Sequence, residues 1–352
     1  VATKKNVNLK HELAAIAKKL DGKSGVLFPG PGGHDIPVVS GFMSSRGWIA
    51  EAMGVPESEL LDAYKQAAEN PLRCNIVKNA PCQEVVHKEF DVRELLPVPT
   101  HSEHDSGPYI TAGLVIAKNP KTGVQNVSIN RIQVNSKDRM AVLILPRHLH
   151  AFQQAAEEMN LPLPVAVVIG VDPLTLLASQ AIASIDYDEL EIAGALHGAP
   201  LDVVSCTTNS VLVPANAEIV IEGHIPPKIR EIEGPFGEYP KYYSAQEKRQ
   251  VIVVDAVTHR KNPIFHTIVS AELEHLLLGS IPREATILSY LRRSFANVLN
   301  VHLSLGGVGR YHLYVQIKKT HEGLPKNVIS AAFSSHYDVK HVVVVDEETS
   351  MT

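Results

Sequence analysis

The sequence has no apolar run of about 18 residues, which excludes a transmembrane helix. No apolar leader core stands behind its opening residues, Val-Ala-Thr-Lys-Lys-Asn, so no signal peptide is read there. Cysteine is scarce. Cys74, Cys82 and Cys206 are odd in number and never stand at a C-x-x-C spacing, which argues against a disulfide framework and for a reduced, cytoplasmic setting. Long Lys/Arg runs are missing and the formal net charge is -5, so neither nucleic acid nor an anionic membrane is an expected partner. There is no internal repeat and no low-complexity segment. The Pro29–Gly33 loop, Pro-Gly-Pro-Gly-Gly, has neither the Lys-Ser/Thr ending of a P-loop nor a dinucleotide spacing, and is read as structural.

What is present is a chain of 352 residues, 45% hydrophobic and 20% charged, the balance of a globular protein of two or three domains. Three textures follow one another. Residues 1–108 read as a small α/β unit: a helix over 8–20 with Leu9, Leu13, Ile16 and Leu20 on one face, a strand at 26–28, helices near 44–53 and 57–69, and a strand at 85–90. An irregular connector at 95–109 carries His101, Glu103, His104 and Asp105; none has a dedicated zinc spacing, and a solvated linker is expected. Residues 109–300 are rich in β-branched runs and turn signals, which predicts an antiparallel sheet or barrel with helices at 148–158 and 173–181 and a closing helix at 284–299. Residues 301–352 read as strand, strand, helix, strand, and so as a βαβ unit with a parallel pair.

The chemistry gathers around Glu233-Gly-Pro-Phe-Gly-Glu238. Two glycines and a proline make this a shaped turn that holds two carboxylates beside an apolar ring. Such an arrangement separates the protonation behaviour of two acids, as general acid/base work requires; two solvated glutamates on a surface turn are the plain alternative. In Asn126-Val-Ser-Ile-Asn-Arg131 strand alternation puts Asn126, Ser128 and Asn130 on one face and Arg131 on the apolar one. A buried arginine needs a carboxylate, and Glu233 is the candidate; a twisted strand that turns Arg131 to solvent is the alternative. His148 stands at a strand end after Pro146-Arg147, and Glu189 is one acid among several. Asn, His and Glu together suit Mn2+ or Mg2+ better than a structural zinc.

These stretches, with Pro214-x-x-x-Glu218-Ile-Val-Ile-Glu-Gly223 and Tyr242-Tyr243, resemble the UbiD-type decarboxylases, which use prenylated flavin mononucleotide. The resemblance runs from about residue 7 to residue 346. It implies an α/β (α+β) fold with an N-terminal α/β domain, a central split β-barrel flavin-binding domain and a C-terminal α/β domain. It implies Asn126, His148 and Glu189 as ligands of a divalent metal that tethers the cofactor phosphate, with a potassium ion nearby. It implies Ser128, Ile129, Asn130, Arg131, Leu143, Ile144, Leu145, Arg147, His148, Leu149 and Lys318 as cofactor contacts, and Arg131, Glu233 and Glu238 as the catalytic network. The implied reaction is non-oxidative, reversible decarboxylation of an aromatic or α,β-unsaturated acid, foremost a hydroxybenzoate such as protocatechuate or gallate. A furan- or pyrrole-type acid, a ubiquinone-pathway 4-hydroxybenzoate, and a non-catalytic flavin-binding assembly subunit are the alternatives. A metal-dependent hydrolase built on the Asn/His/Glu set would need no flavin. A flavin prenyltransferase is the implied cofactor supplier, and a homodimer or higher homo-oligomer the implied assembly. Arg147 stands where some relatives have Gln. The chain stops at Thr352, where family members usually continue into a further helix, and opens without Met, so a truncated sequence is expected.

Overall fold

The computed structural model describes residues 1–185 and 187–351; Asp186 and Thr352 lie outside the described residues. In chain order the N-terminal part holds α1 (Glu12–Leu20), β1 (Val26–Phe28), β2 (Val38–Ser40), α2 (Arg46–Met53), α3 (Leu60–Glu69), β3 (Asn75–Ile76), β4 (Val85–His87) and α4 (Val92–Leu95). The middle holds β5 (Tyr109–Ile110), β6 (Leu114–Lys118), β7 (Gln125–Ile129), β8 (Ile132–Val134), β9 (Arg139–Val142), α5 (His148–Glu158), β10 (Leu163–Ile169), α6 (Pro173–Ala178), α7 (Glu189–His197), β11 (Asp202–Ser205), β12 (Leu212–Pro214), β13 (Ile219–Ile225), β14 (Arg230–Glu233), β15 (Glu247–His259) and β16 (Phe265–His266). The last part holds α8 (Leu273–Arg292), β17 (Val298–Leu303), β18 (His312–Ile317), α9 (Leu324–Ser335) and β19 (His341–Asp346). No helix among the described residues is long and apolar enough to cross a membrane.

The centre is one antiparallel sheet of ten strands in the order β5-β8-β9-β15-β13-β10-β6-β7, with β14 and β4 also paired to β15. Its end strands β5 and β7 do not pair with each other, so the ladder is open. The near-continuous apolar runs have a simple cause: both faces of the sheet are covered. Ile116, Ala166, Val168 and Val220 point into one core with Leu177, Ile192 and Ile287. Their neighbours Val115, Val165, Val167, Ile219 and Ile221 point into a second core with Phe28, Leu149 and Phe152. Alternation along each strand therefore sorts side chains between two apolar layers rather than between core and solvent.

Several boundaries differ from those read off the sequence. The first helix starts at Glu12, not at residue 8, because His11 takes φ 68° and breaks the helical path. β7 and β8 are separated at Asn130, whose side-chain amide reaches the Leu143 carbonyl at 2.9 Å. The helix expected at 284–299 is α8; it begins at Leu273 and ends at Arg292. Gly279 and Pro282 weaken its sequence signal, yet Leu276, Leu277, Leu278 and Ile281 are buried and hold it helical. Val298, expected on that helix, opens β17 instead. At the far end β18, α9 and β19 form the expected strand–helix–strand with a parallel pair.

The β13–β15 register shifts between Glu222 and Gly223. Glu222, fully buried, accepts hydrogen bonds from both amides and both hydroxyls of Thr207 and Thr208 at 2.7–2.9 Å. A Cβ on Gly223 would lie 2.2 Å from the Val253 carbonyl oxygen. Gly223→Ala should therefore destabilise the fold by at least about 3 kcal/mol, read as a large drop in melting temperature. Gly47→Ala, whose Cβ meets nothing closer than 3.5 Å, is the control and should melt like wild type.

Candidate active site

Arg131 lies just past the break after β7, and Glu233 closes β14. Arg131 Nε and Nη2 donate to Glu233 Oε1 and Oε2 at 3.0 and 2.8 Å, a bidentate fork. Its remaining nitrogen, Nη1, donates to Glu238 Oε1. Glu233 is fully buried and Arg131 is 8% exposed, while Glu238 keeps 27%. Arg131 is thus not turned to solvent. Burial alone would lower the guanidinium pKa; the Glu233 bonds and charge, with Glu238, more than offset it and hold the group above its ordinary range. The Phe236 ring lies 5.4 Å from the guanidinium carbon.

The turn between the two acids is held from behind. The Gly234 amide donates to the Tyr109 hydroxyl at 3.1 Å and to Gln133 Oε1 at 3.0 Å. That hydroxyl is also 3.1 Å from Glu233 Oε1, and burial pushes the phenol above its usual range. Gly234 sits at φ 85° with the Ala245 carbonyl oxygen 2.7 Å from where a Cβ would be, so glycine is required there. The connector expected to be solvated does much of this holding. Asp105 accepts from the Gly237 and Ser102 amides, both at 2.8 Å, and is engaged with backbone rather than with a metal. His101 is buried against Thr267 at 2.7 Å, and burial lowers its pKa to about 4. Glu103 and His104 are exposed.

A cavity of about 450 Å³ opens on Arg131, Phe236 and Glu238. Ser128, Ile129, Asn130, Leu143, Ile144, Leu145, Arg147, His148 and Leu149 line it, as do Asn126 and Glu189. Glu233 stands behind Arg131 and does not. Asn126 Oδ1 and His148 Nδ1 are 3.1 Å apart. Glu189 heads α7 and accepts from the Val127 amide at 2.7 Å. Burial, only partly offset by that amide, pushes its pKa up to about 8. A cation beside it would restore the charge, and two oxygen donors with one imidazole suit a hard divalent ion. No cluster of three or more His, Cys, Asp or Glu side chains at metal spacing occurs among the described residues; this trio holds two, completed by an amide.

Another wall of the cavity is cationic. Arg283 of α8 is buried, and Arg310 and Arg147 stand with it. Burial first, then Arg310, lowers the Arg283 pKa to about 10. Among the described residues the carboxylate paired with these groups is Asp338, 3.6 Å from Arg283 and 3.9 Å from Arg310. Arg147 donates to the Tyr337 hydroxyl at 2.6 Å. His275 accepts from the Ala271 amide at 3.3 Å, and burial keeps it neutral with a pKa of about 4. A Cβ on Gly279 would lie 3.4 Å from Arg310 and 3.8 Å from Arg283, so its absence gives both guanidinium groups room beside the helix.

Three family models match the chain in succession: the N-terminal, Rift-related and C-terminal domains of 3-octaprenyl-4-hydroxybenzoate carboxy-lyase, over residues 1–68, 75–273 and 276–352. The chain belongs to the UbiD family. It is a carboxy-lyase of that class. Among its UbiD relatives, the anhydromevalonate phosphate decarboxylase of Methanothermobacter thermautotrophicus is 41% identical over 89% of this chain and 73% of its own length. The gallate decarboxylase of Lactiplantibacillus plantarum is 32% identical over 90% of this chain and 69% of its own. The structure of the UbiD-class enzyme HmfF from Pelotomaculum thermopropionicum in complex with FMN is 50% identical, with a TM-score of 0.98 over 100% of this chain and 80% of that one. An evolved dimeric form of HmfF in complex with prFMN is 49% identical at the same TM-score, over 100% of this chain and 83% of that one.

One residue of the sequence reading falls away from this UbiD-family site. Lys318 follows the inward-facing Ile317 at the end of β18, so alternation turns it outward; it is exposed and does not line the cavity. The cationic groups that do line it, Arg283 and Arg310, were missed. Arg283 carried a signal, a lone arginine in a helix that is otherwise apolar on that side, but the helix read from the sequence began one residue after it.

The Glu189 shift has a consequence for stability. Its folded pKa of about 8 lies above the ordinary glutamate value of 4.5, so the fold favours the neutral acid. Metal-free protein should lose stability as pH rises from 4.5 to about 8, because the unfolded chain gives up this proton first. Thermal melts should show that fall, Glu189→Gln should flatten it, and added Mn2+ should reverse it with proton release. Identical pH profiles for wild type and variant would refute the assignment.

Proposed function

We propose that this protein decarboxylates an aromatic or α,β-unsaturated acid that carries a second anionic group, with prenylated FMN in the 450 Å³ cavity. The carrying observation is the wall of Arg283, Arg310 and Arg147 in the same cavity as the Glu233–Arg131–Glu238 network. The buried Arg283 guanidinium, with the half-buried Arg310 beside it and Asp338 shared between them, calls for an anionic ligand group. A hydroxybenzoate such as protocatechuate or gallate has no second anion to offer. A furan- or pyrrole-type diacid does, which favours the heteroaromatic alternative. A phosphate-bearing acid is the second reading, favoured by the substrate name of the 41% identical relative.

Asn126, His148 and Glu189 would hold Mn2+ or Mg2+, which would fix the cofactor phosphate, with a potassium ion near it. The flavin, when bound, supplies the electron sink for the carbanion left by CO2. Flavin in both HmfF structures supports that choice. A flavin prenyltransferase is the supplier we propose, and a homodimer or larger assembly the working form.

The protein's own contribution is charge placement. Glu233 takes two bonds from Arg131 and is its permanent counter-ion. Glu238 is then a second carboxylate on a cation already matched, so a proton on Glu238 brings the buried triad to neutrality. Glu238 is the one acid of the pair that faces the cavity, and it delivers that proton to the carbon that has lost CO2. Arg131 and Glu238 orient the reacting carboxylate, and the arginine wall takes the second anion.

Two experiments test this, on protein produced with a flavin prenyltransferase. Glu238→Gln should abolish CO2 release while absorbance and mass still show bound flavin; retained turnover would remove Glu238 as proton donor. Arg283→Met should raise KM for 2,5-furandicarboxylate by about 10- to 100-fold, the worth of a charged hydrogen-bonded contact, with little change for a monocarboxylic acid. Equal effects on both acids would refute the anion-binding role.

A further inference from the structure

Tyr239 follows Glu238 directly, yet its side chain is fastened to another part of the molecule. Its hydroxyl meets the Tyr311 hydroxyl at 2.8 Å. The Arg310 guanidinium lies 4.0 Å over its ring, and the His275 ring meets it edge-on with centroids 6.2 Å apart. Tyr311 is itself firmly set beside the β17–β18–β19 sheet. Its amide donates to the Gly307 carbonyl at 2.8 Å, its carbonyl accepts from the Lys340 and His341 amides at 2.9 and 3.0 Å, and Lys340 Nζ lies 4.2 Å over its ring. The Glu238 side chain is held by the Arg131 contact, and its backbone by its own amide on the Tyr242 carbonyl and the Lys241 amide on its carbonyl, both at 2.9 Å. Glu233, by contrast, is locked at the end of a paired strand.

We propose that Tyr311 is a positioning residue for proton delivery: through its hydroxyl bond to Tyr239, the C-terminal sheet sets where the Glu238 carboxylate stands in the cavity. This rests on the reading of Glu238 as proton donor. The bridge joins residue 239, in the cavity wall, to residue 311 beside the C-terminal sheet. Arg310 belongs to both devices, since it lines the anion-binding wall and covers the Tyr239 ring. A second anionic group on the substrate would therefore bind next to the ring that carries the proton donor's chain.

The test is a pair of hydroxyl deletions, Tyr311→Phe and Tyr239→Phe, that keep both rings. In flavin-loaded enzyme turning over 2,5-furandicarboxylate, each should lower kcat about tenfold, leave KM within about twofold, and raise the solvent deuterium isotope effect on kcat as proton transfer becomes limiting. The double variant should be no slower than either single one, because both remove the same bond. Independently of substrate, amide exchange in 236–243 should quicken in Tyr311→Phe, while exchange in β15 stays at the wild-type rate. Wild-type kcat, isotope effect and exchange in Tyr311→Phe would overturn the proposal, as would a loss of flavin or a rise in KM matching the fall in kcat. Glu238→Gln separates the two levels. If that variant keeps its activity, the proton-donor reading fails and this proposal with it; if it is inactive and Tyr311→Phe is unimpaired, this proposal alone fails.

Discussion

The buried fork between Arg131 and Glu233 is the constraint from which the rest of the site follows. A guanidinium and a carboxylate taken out of water cost several kcal/mol each, and removing either partner of such a pair costs about 3–5 kcal/mol. The fold therefore has to bring the break after β7 and the end of β14 together with little freedom. It does so from three sides. The central sheet aligns the two segments, Tyr109 and Gln133 hold Gly234, and the connector through Asp105 holds Gly237. Once that pair is fixed, Glu238 arrives on the last free nitrogen of Arg131 by the length of a four-residue turn. Glu238 is placed by a structural ion pair rather than by its own burial.

Two kinds of charge share the cavity, and each is unbalanced in a different sense. The Glu233–Arg131–Glu238 set has two carboxylates on one guanidinium. The Arg283, Arg310 and Arg147 set has guanidinium groups in excess of Asp338, which makes an anion welcome. A substrate with a carboxylate to lose and another negative group to keep would answer both. Glu189 adds a third site of tension, an acid whose burial disfavours its charge.

Much of this was legible in the sequence because local rules dictate it. Glu233-Gly-Pro-Phe-Gly-Glu238 cannot be a strand or helix interior, and an arginine on the apolar side of a strand needs an acid. What could not be read depends on distant packing. Glu189 looks like any acid until α7 is seen to bury it at the Val127 amide. Arg283 and Arg310 are 27 positions apart, and only the α8–β17 packing brings them to one wall. Gly279 and Pro282 speak against a helix by propensity, and buried leucines overrule them. Lys318 was carried over from the family resemblance, and only the packing of β18 shows that it follows the inward-facing Ile317 and turns outward.

The strand β15 pairs with β4, β9, β13 and β14, so four neighbours take their register from one segment of thirteen residues. It also sends Ile252, Val254 and Val257 into the second core. Point substitutions along it can be absorbed one at a time. A single inserted or deleted residue would turn every following side chain over, draw β15 side chains out of the second core and slide Glu233 off its partner position opposite Glu247. Length is therefore the property this strand cannot vary, and changes in the size of the protein have to enter at its turns.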